Sequence, residues 1–207
     1  MKLFYAKGAC SLAPHIVMAE LNMVYEIESV DLKTKTCASG DFRTINKKGS
    51  VPAIRMENGE ILTESAVIVQ YLADMKPEAA LMPKLGTTDR YRCLEWLNFI
   101  ATDLHKNYTP MFMAGMFVQS ENAKTELKTS VAEMLKGRIN FVSEKLGNND
   151  YLMGNNFTVA DAYMFTVLGW SKYVNLDLTP WTNITAYLNR VGSRPAVLKA
   201  LKEEGLI

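Results

Sequence analysis

Over the first 75 residues the apolar positions switch between a spacing of two and a spacing of three to four, which predicts strands interleaved with helices. Lys2-Leu3-Phe4-Tyr5 reads as a short strand, broken at Gly8. From Ser11 onward Leu12, Ile16, Ala19 and Met23 follow helical spacing, and Pro14 is tolerated in the first turn, where its missing N–H is not needed. Tyr25 to Val30 alternates as a half-buried strand does, and the polar stretch through Lys48 contains a short helix around Phe42–Ile45. Val51-Pro52 opens the next strand, a position at which proline does not interrupt a ladder. Ala53-Ile54-Arg55-Met56, an Asn58-Gly59 turn and Ile61-Leu62 read as a hairpin. Ala66, Val69 and Leu72 line one face of a helix that starts near Glu64-Ser65, giving the order β-α-β-α-β-β-α.

Strand signals stop after Lys76-Pro77. Residues 77–87, with Pro83-Lys84-Leu85-Gly86, read as a linker between one domain over 1–76 and an all-helical domain over 88–207. Leu94, Leu97, Ala101, Leu104, Tyr108 and Met111 step by three or four along one long helix. Leu127, Val131, Met134, Val142 and Leu146, interrupted by Arg138, do so along a second. Thr158-Val159-Ala160-Asp161 has the spacing of a capping box ahead of the apolar run Ala162–Trp170, and Pro195 suits the first turn of a final short helix. A first domain of this size buries little core alone, so it depends on the helical domain and on a dimer partner.

Composition narrows the partners. Across 207 residues, 48% are apolar and 22% charged, as in an ordinary globular chain, and the net charge of +1 provides no field to draw nucleic acid or an anionic membrane. A small neutral or zwitterionic partner fits this balance. Cys10, Cys37 and Cys93 contain no Cys-x-x-Cys pair, which argues against both a disulfide framework and a zinc cage. The apolar stretch Leu3–Ala6 is too short for a secretory leader, and no window has the length of a membrane span, so a cytoplasmic protein is expected.

The candidate chemistry gathers at the ends of predicted elements. Cys10 stands in the first strand-to-helix turn, where free N–H groups and the helix dipole would favour a thiolate and lower its pKa; a small buried hydrophobe is the other reading. Val51-Pro52 lies across from that turn, as in thioredoxin-like folds, where the residue before a cis-proline offers its N–H and C=O to a peptide-like ligand; a plain strand-opening proline is the alternative. Glu64 and Ser65 could hold an ammonium and a carboxylate, or only cap a helix. His105-Lys106 lies mid-helix, with Asn98, Thr102 and Asp103 before it. Two histidines without paired cysteines give no metal site, and His15 reads as structural. Met111, Phe112, Met113, Met116 and Phe117 form either an adaptable apolar wall or core packing.

In this order and spacing several segments resemble the cytosolic glutathione S-transferases over the whole chain, and most closely the bacterial beta class. They are Lys2-Leu3-Phe4-Tyr5 with Gly8-Ala9-Cys10-Ser11, Gly49-Ser50-Val51-Pro52-Ala53, Leu62-Thr63-Glu64-Ser65, Glu95-Trp96-Leu97-Asn98 through Asp103-Leu104-His105-Lys106, and Phe157-Thr158-Val159-Ala160-Asp161-Ala162-Tyr163. The resemblance implies an N-terminal thioredoxin-like domain with a C-terminal helical bundle, a homodimer, and conjugation of glutathione to small apolar electrophiles without a metal. It implies Cys10 at the glutathione sulfur, Val51 paired with the cysteinyl backbone, Glu64 and Ser65 at the γ-glutamyl end and Lys35 near the glycyl end. Asn98, Thr102, Asp103, Leu104 and His105 would approach from the helical domains, with Cys10 and His105 as the catalytic pair. Tyr5, Lys106, Met111 and Met113 would border the electrophile. Disulfide exchange or peroxide reduction through Cys10, and non-catalytic binding of apolar ligands, remain open. The sequence departs from the family at Asn46-Lys47-Lys48-Gly49, where Asn-Pro is frequent; this touches loop rigidity.

Overall fold

The computed structural model describes residues 1–207. Its N-terminal half runs β1 (Lys2–Tyr5), α1 (Leu12–Glu20), β2 (Glu26–Asp31), β3 (Thr36–Cys37), β4 (Gly40–Asp41), a single 3₁₀ turn (Phe42–Thr44), β5 (Ala53–Arg55), β6 (Ile61–Thr63) and α2 (Ser65–Asp74). The six strands lie in the order β4-β3-β2-β1-β5-β6. β1 pairs in parallel with β2, Leu3 opposite Ile27, and antiparallel with β5, Leu3 opposite Ile54. The parallel pair requires a crossover, and α1 supplies it. The two-residue strands β3 and β4 were not foreseen in the polar stretch before Lys48; strands this short carry too few residues to show an alternation.

The C-terminal half is helical: α3 (Thr88–Phe99), a π-helical stretch (Ile100–His105), α4 (Lys106–Met113), α5 (Glu121–Leu146), α6 (Val159–Leu168), α7 (Thr182–Gly192) and α8 (Pro195–Glu203). The expected long helix through Met111 is thus a chain of three segments, and its wide turn falls on the residues that precede and include His105. π-turns occur mostly as insertions in α-helices, and often at functional positions. The α6 start is fastened by Asp161, whose carboxylate accepts from the Thr158 N–H and hydroxyl, each at 2.8 Å, and from Leu152 N–H at 2.9 Å. Tyr187 on α7 donates to the same carboxylate at 3.1 Å.

One buried apolar cluster runs through both halves, from Leu3, Ile16 and Leu72 to Leu104, Met164 and Val197. α1 packs against α2, α6 and α8 at once. The N-terminal half therefore completes its core on the helical half, which explains how so small a sheet is stabilised. No helix is long and apolar enough to cross a membrane.

Candidate functional site

The site begins at the turn after β1. Gly8 takes a φ of +68°, a conformation suited to glycine, and a Cβ there would come within 3.3 Å of Leu206. Both peptide groups of Gly8 are held from the helical half: its N–H donates to Glu204 Oε2 at 2.9 Å, and its carbonyl accepts from Trp170 Nε1 at 2.9 Å. Glu204 is buried beside the wholly buried His15, whose Nδ1 lies 3.0 Å from Glu204 Oε1 and whose Nε2 lies 2.7 Å from Glu203 Oε2. His15 is structural, as read from the sequence, and it carries the last helix onto the first.

Cys10, at the end of this turn, is buried and donates its S–H to the Val51 carbonyl at 3.1 Å. The Val51-Pro52 peptide is cis, placing the strand edge before β5 against the thiol. The expected low pKa is corrected here: burial pushes the Cys10 thiol up to about 11, and hydrogen bonds with Ser65 and the Cys10 and Ser11 N–H groups offset only part of this. The dipole argument underestimated desolvation, which penalises a thiolate in an apolar setting. The resting group is a thiol.

Glu64 precedes α2 with φ +76° and ψ 116°, a strained conformation for a residue with a Cβ, and its carboxylate stands in solvent. It pairs with Lys48, which also donates to Thr63 Oγ1 at 2.9 Å. Sequence reasoning passed over Lys48, and only its place in the departing Asn46-Lys47-Lys48-Gly49 segment marked it. Lys35 Nζ donates to the Gly49 carbonyl at 2.8 Å, so both lysines brace the loop that carries Val51. Ser65 is buried, and its hydroxyl approaches the Cys10 carbonyl at 3.4 Å.

From the helical side, His105 Nδ1 lies 2.6 Å from the Tyr163 hydroxyl, and the ring packs edge-on against Trp170, with centroids 4.8 Å apart. Burial, with the Lys106 charge adding to it, drives the His105 pKa down to about 4, so the imidazole is neutral at physiological pH. Burial also raises the Tyr163 hydroxyl pKa, and Cys10 and Ser65 are among the groups that act on it. Tyr163 thus stands between His105 and the thiol side, a role that local spacing does not separate from α6 packing. Trp170 touches both His105 and the Gly8 turn and fixes one relative to the other.

Other expected residues lie further out. Asn98 and Thr102 are exposed, and Thr102 donates to the Asn98 carbonyl at 3.0 Å and to Asp103 at 2.9 Å. Asp103 pairs with Arg138 of α5 at 3.2 Å, so the polar contacts of these three stay within the helical half. Leu104 is corrected: its side chain belongs to the core, leaving only its backbone for a ligand. Met111 is corrected likewise, being buried, whereas Phe112, Met113, Met116 and Phe117 are exposed. A helix turns successive residues away from one another, so a run in sequence cannot form one wall. Lys106 is exposed, and Tyr5 is half-buried with its ring 6.2 Å from His15. No three His, Cys, Asp or Glu side chains converge as metal ligands would.

A buried thiol on a strand-to-helix turn, facing a strand headed by a cis-proline and backed by a helical domain, defines a thioredoxin-like protein of two domains. Family models for the glutathione S-transferase N-terminal domain and C-terminal domain match residues 8–75 and 101–195. The sequence is 42% identical over 207 residues to glutathione S-transferase GstA of Escherichia coli O157:H7, covering all of both chains. The fold is similar to that of a glutathione transferase from Methylococcus capsulatus, with a TM-score of 0.92 and 48% identity over 100% of this chain and 99% of that one. It is also similar to a bacterial beta class enzyme of Sphingomonas chungbukensis and to a sphingomonad glutathione S-transferase complexed with glutathione. These give TM-scores of 0.92 and 0.91, each at 40% identity over the full length of both chains. The chain belongs to the glutathione S-transferase family, and its close structural likeness is to the bacterial beta class.

Proposed function

We propose that this protein is a glutathione transferase that binds glutathione along the thioredoxin-like half and conjugates it to small apolar electrophiles, as in detoxification. The observation that carries this reading is the Cys10 S–H donating to the Val51 carbonyl. A peptide that pairs with Val51 in strand fashion would take that carbonyl with its own N–H and release the Cys10 S–H. The freed S–H then donates to the sulfur of glutathione, which has lost its proton to solvent, and the thiol's raised pKa keeps it a donor. The glutathione thiolate attacks the electrophilic carbon, a C–S bond forms, and the leaving group departs with its electron pair. Neutral His105 hydrogen-bonds at the mouth; with a pKa of about 4 it stores no proton at pH 7. Glu64 and Ser65 receive the γ-glutamyl end and Lys35 the glycyl end. The exposed Met113 and Lys106 border the electrophile, together with the half-buried Tyr5.

The same pKa counts against the second reading, in which Cys10 is itself the nucleophile of disulfide exchange. Conjugation of a chlorinated nitroaromatic is expected to fall about tenfold in Cys10→Ala, worth ~1.4 kcal/mol of the barrier, and to return in part in Cys10→Ser. If conjugation is unchanged while reduction of a hydroxyethyl mixed disulfide disappears, Cys10 serves disulfide exchange instead.

The protein works as a homodimer in this proposal. A groove of about 1450 Å³ runs past Trp96, Phe99 and Phe141, whose rings lie 5.1–6.2 Å apart. Exposed Met134 on α5, Val67 on α2 and Met75 just after it add apolar area suited to a second copy of the chain. Sedimentation as a monomer at micromolar concentration overturns the dimer. The three cysteines are free, in keeping with a reducing cytoplasm.

A further inference from the structure

We propose that Lys48 reads the α-carboxylate of the γ-glutamyl end, so that the Lys48–Glu64 pair of the empty site opens to receive the ligand's ammonium and carboxylate as two new pairs. This rests on the glutathione reading above. Lys48 and Glu64 sit on separate loops, each shaped independently of the pair. Lys48 N–H donates to Asn46 Oδ1 at 3.2 Å, and Asn46 Nδ2 donates to the Ser50 carbonyl at 2.7 Å, folding the loop that ends in Val51. Glu64 is projected by its own φ of +76°. The two side chains meet beside Thr63 and Ser65, at the start of α2.

The pair is built for exchange. The Lys48 and Glu64 side chains are 53% and 64% exposed, so water competes for both and the pair is weak. An α-amino acid carries its ammonium and carboxylate on one carbon. Once the ammonium has taken Glu64, the carboxylate lies one tetrahedral centre away, within reach of the cation that stood at Glu64 before. Lys35 is directed elsewhere, with its Nζ at the Gly49 carbonyl.

The sign of one measurement separates this role from mere competition. If Lys48 only occupies Glu64, its removal strengthens glutathione binding; if it reads the carboxylate, its removal weakens it. Isothermal titration of Lys48→Met and wild type is compared for glutathione, for 4-aminobutanoyl-cysteinylglycine, which lacks the α-carboxylate, and for γ-glutamylcysteine, which lacks the glycyl carboxylate. The expected result is a Kd about fivefold higher in Lys48→Met for glutathione and for γ-glutamylcysteine. The Kd for 4-aminobutanoyl-cysteinylglycine stays level or falls, and Lys48→Arg recovers most of the affinity for glutathione. Equal or tighter glutathione binding by Lys48→Met overturns the proposal, as does an equal loss for the analogue without the α-carboxylate. A loss that vanishes only for γ-glutamylcysteine overturns it too, by assigning Lys48 to the glycyl end. If wild type binds none of the three peptides, the glutathione reading fails and takes this inference with it; binding by wild type with an indifferent Lys48→Met removes Lys48 alone. The exposed position of Lys48 leaves the fold intact, which an unchanged thermal midpoint verifies.

Discussion

Two polar clusters flank the thiol turn, and they are built in opposite ways. Behind it, His15, Glu203 and Glu204 lock α8 to α1 and hold the Gly8 N–H, with His15 wholly buried and the Glu204 side chain sealed from solvent. In front of it, Lys48 and Glu64 meet in open water. A buried polar group that loses its partner has no water to replace it, so the rear cluster is costly to disturb and holds geometry. An exposed pair is replaced by water at little cost, so the front cluster is free to change partners. Burial decides which charges build a site and which serve it.

The sharpest way to break this contrast is Glu204→Ala. It takes the partner from the half-buried Gly8 N–H and from one nitrogen of the buried His15, and unfolding in urea is expected to show a loss of about 2–3 kcal/mol. A loss below about 1 kcal/mol would make the rear cluster as dispensable as an exposed pair. Trp170→Phe is milder: it keeps a ring against His105 and removes only the indole N–H to the Gly8 carbonyl. Stability should fall by about 1 kcal/mol, and conjugation should fall more than glutathione affinity does, because the Cys10 turn is displaced relative to His105 while the Glu64 end is untouched. An equal loss of affinity would show that Trp170 supports the whole cleft. Smallest of all is Glu64→Gln, expected to shift stability by less than about 0.5 kcal/mol in the same urea titration, since it removes a solvent-exposed charge. A larger change would mean that the front pair is structural after all.

The two halves of the molecule were not equally legible. β1, α1, the β5–β6 hairpin and α2 follow from periodicity and turn residues, because each element's apolar face is set by neighbours within a few positions. β3 and β4 escaped notice because they exist only by pairing with β2 and with each other. α7 lay inside an all-helical expectation with no signal of its own singled out, and the π stretch at Ile100–His105 is a local widening that apolar spacing does not register. The site residues divide in the same way. Cys10, Pro52, Glu64, Ser65 and His105 occupy positions that turn and cap rules or family spacing can mark. Lys48, Tyr163, Trp170 and Glu204 act through contacts across 16 to 196 positions of sequence, which no local pattern encodes.

The sequence by itself determined the longer elements of the N-terminal half, the change to an all-helical C-terminal half, and the kinds of chemical group at each turn, because these depend on local spacing and residue type. It did not determine what those groups are at neutral pH. Cys10 has a helix-start position that favours a thiolate and an environment that makes it a thiol; His105 has an ordinary side chain and an environment that keeps it neutral. Desolvation widens the margin in both cases, against the helix-start effect at Cys10, and it depends on what the distant parts of the chain place around each group. Only the tertiary structure contains that information.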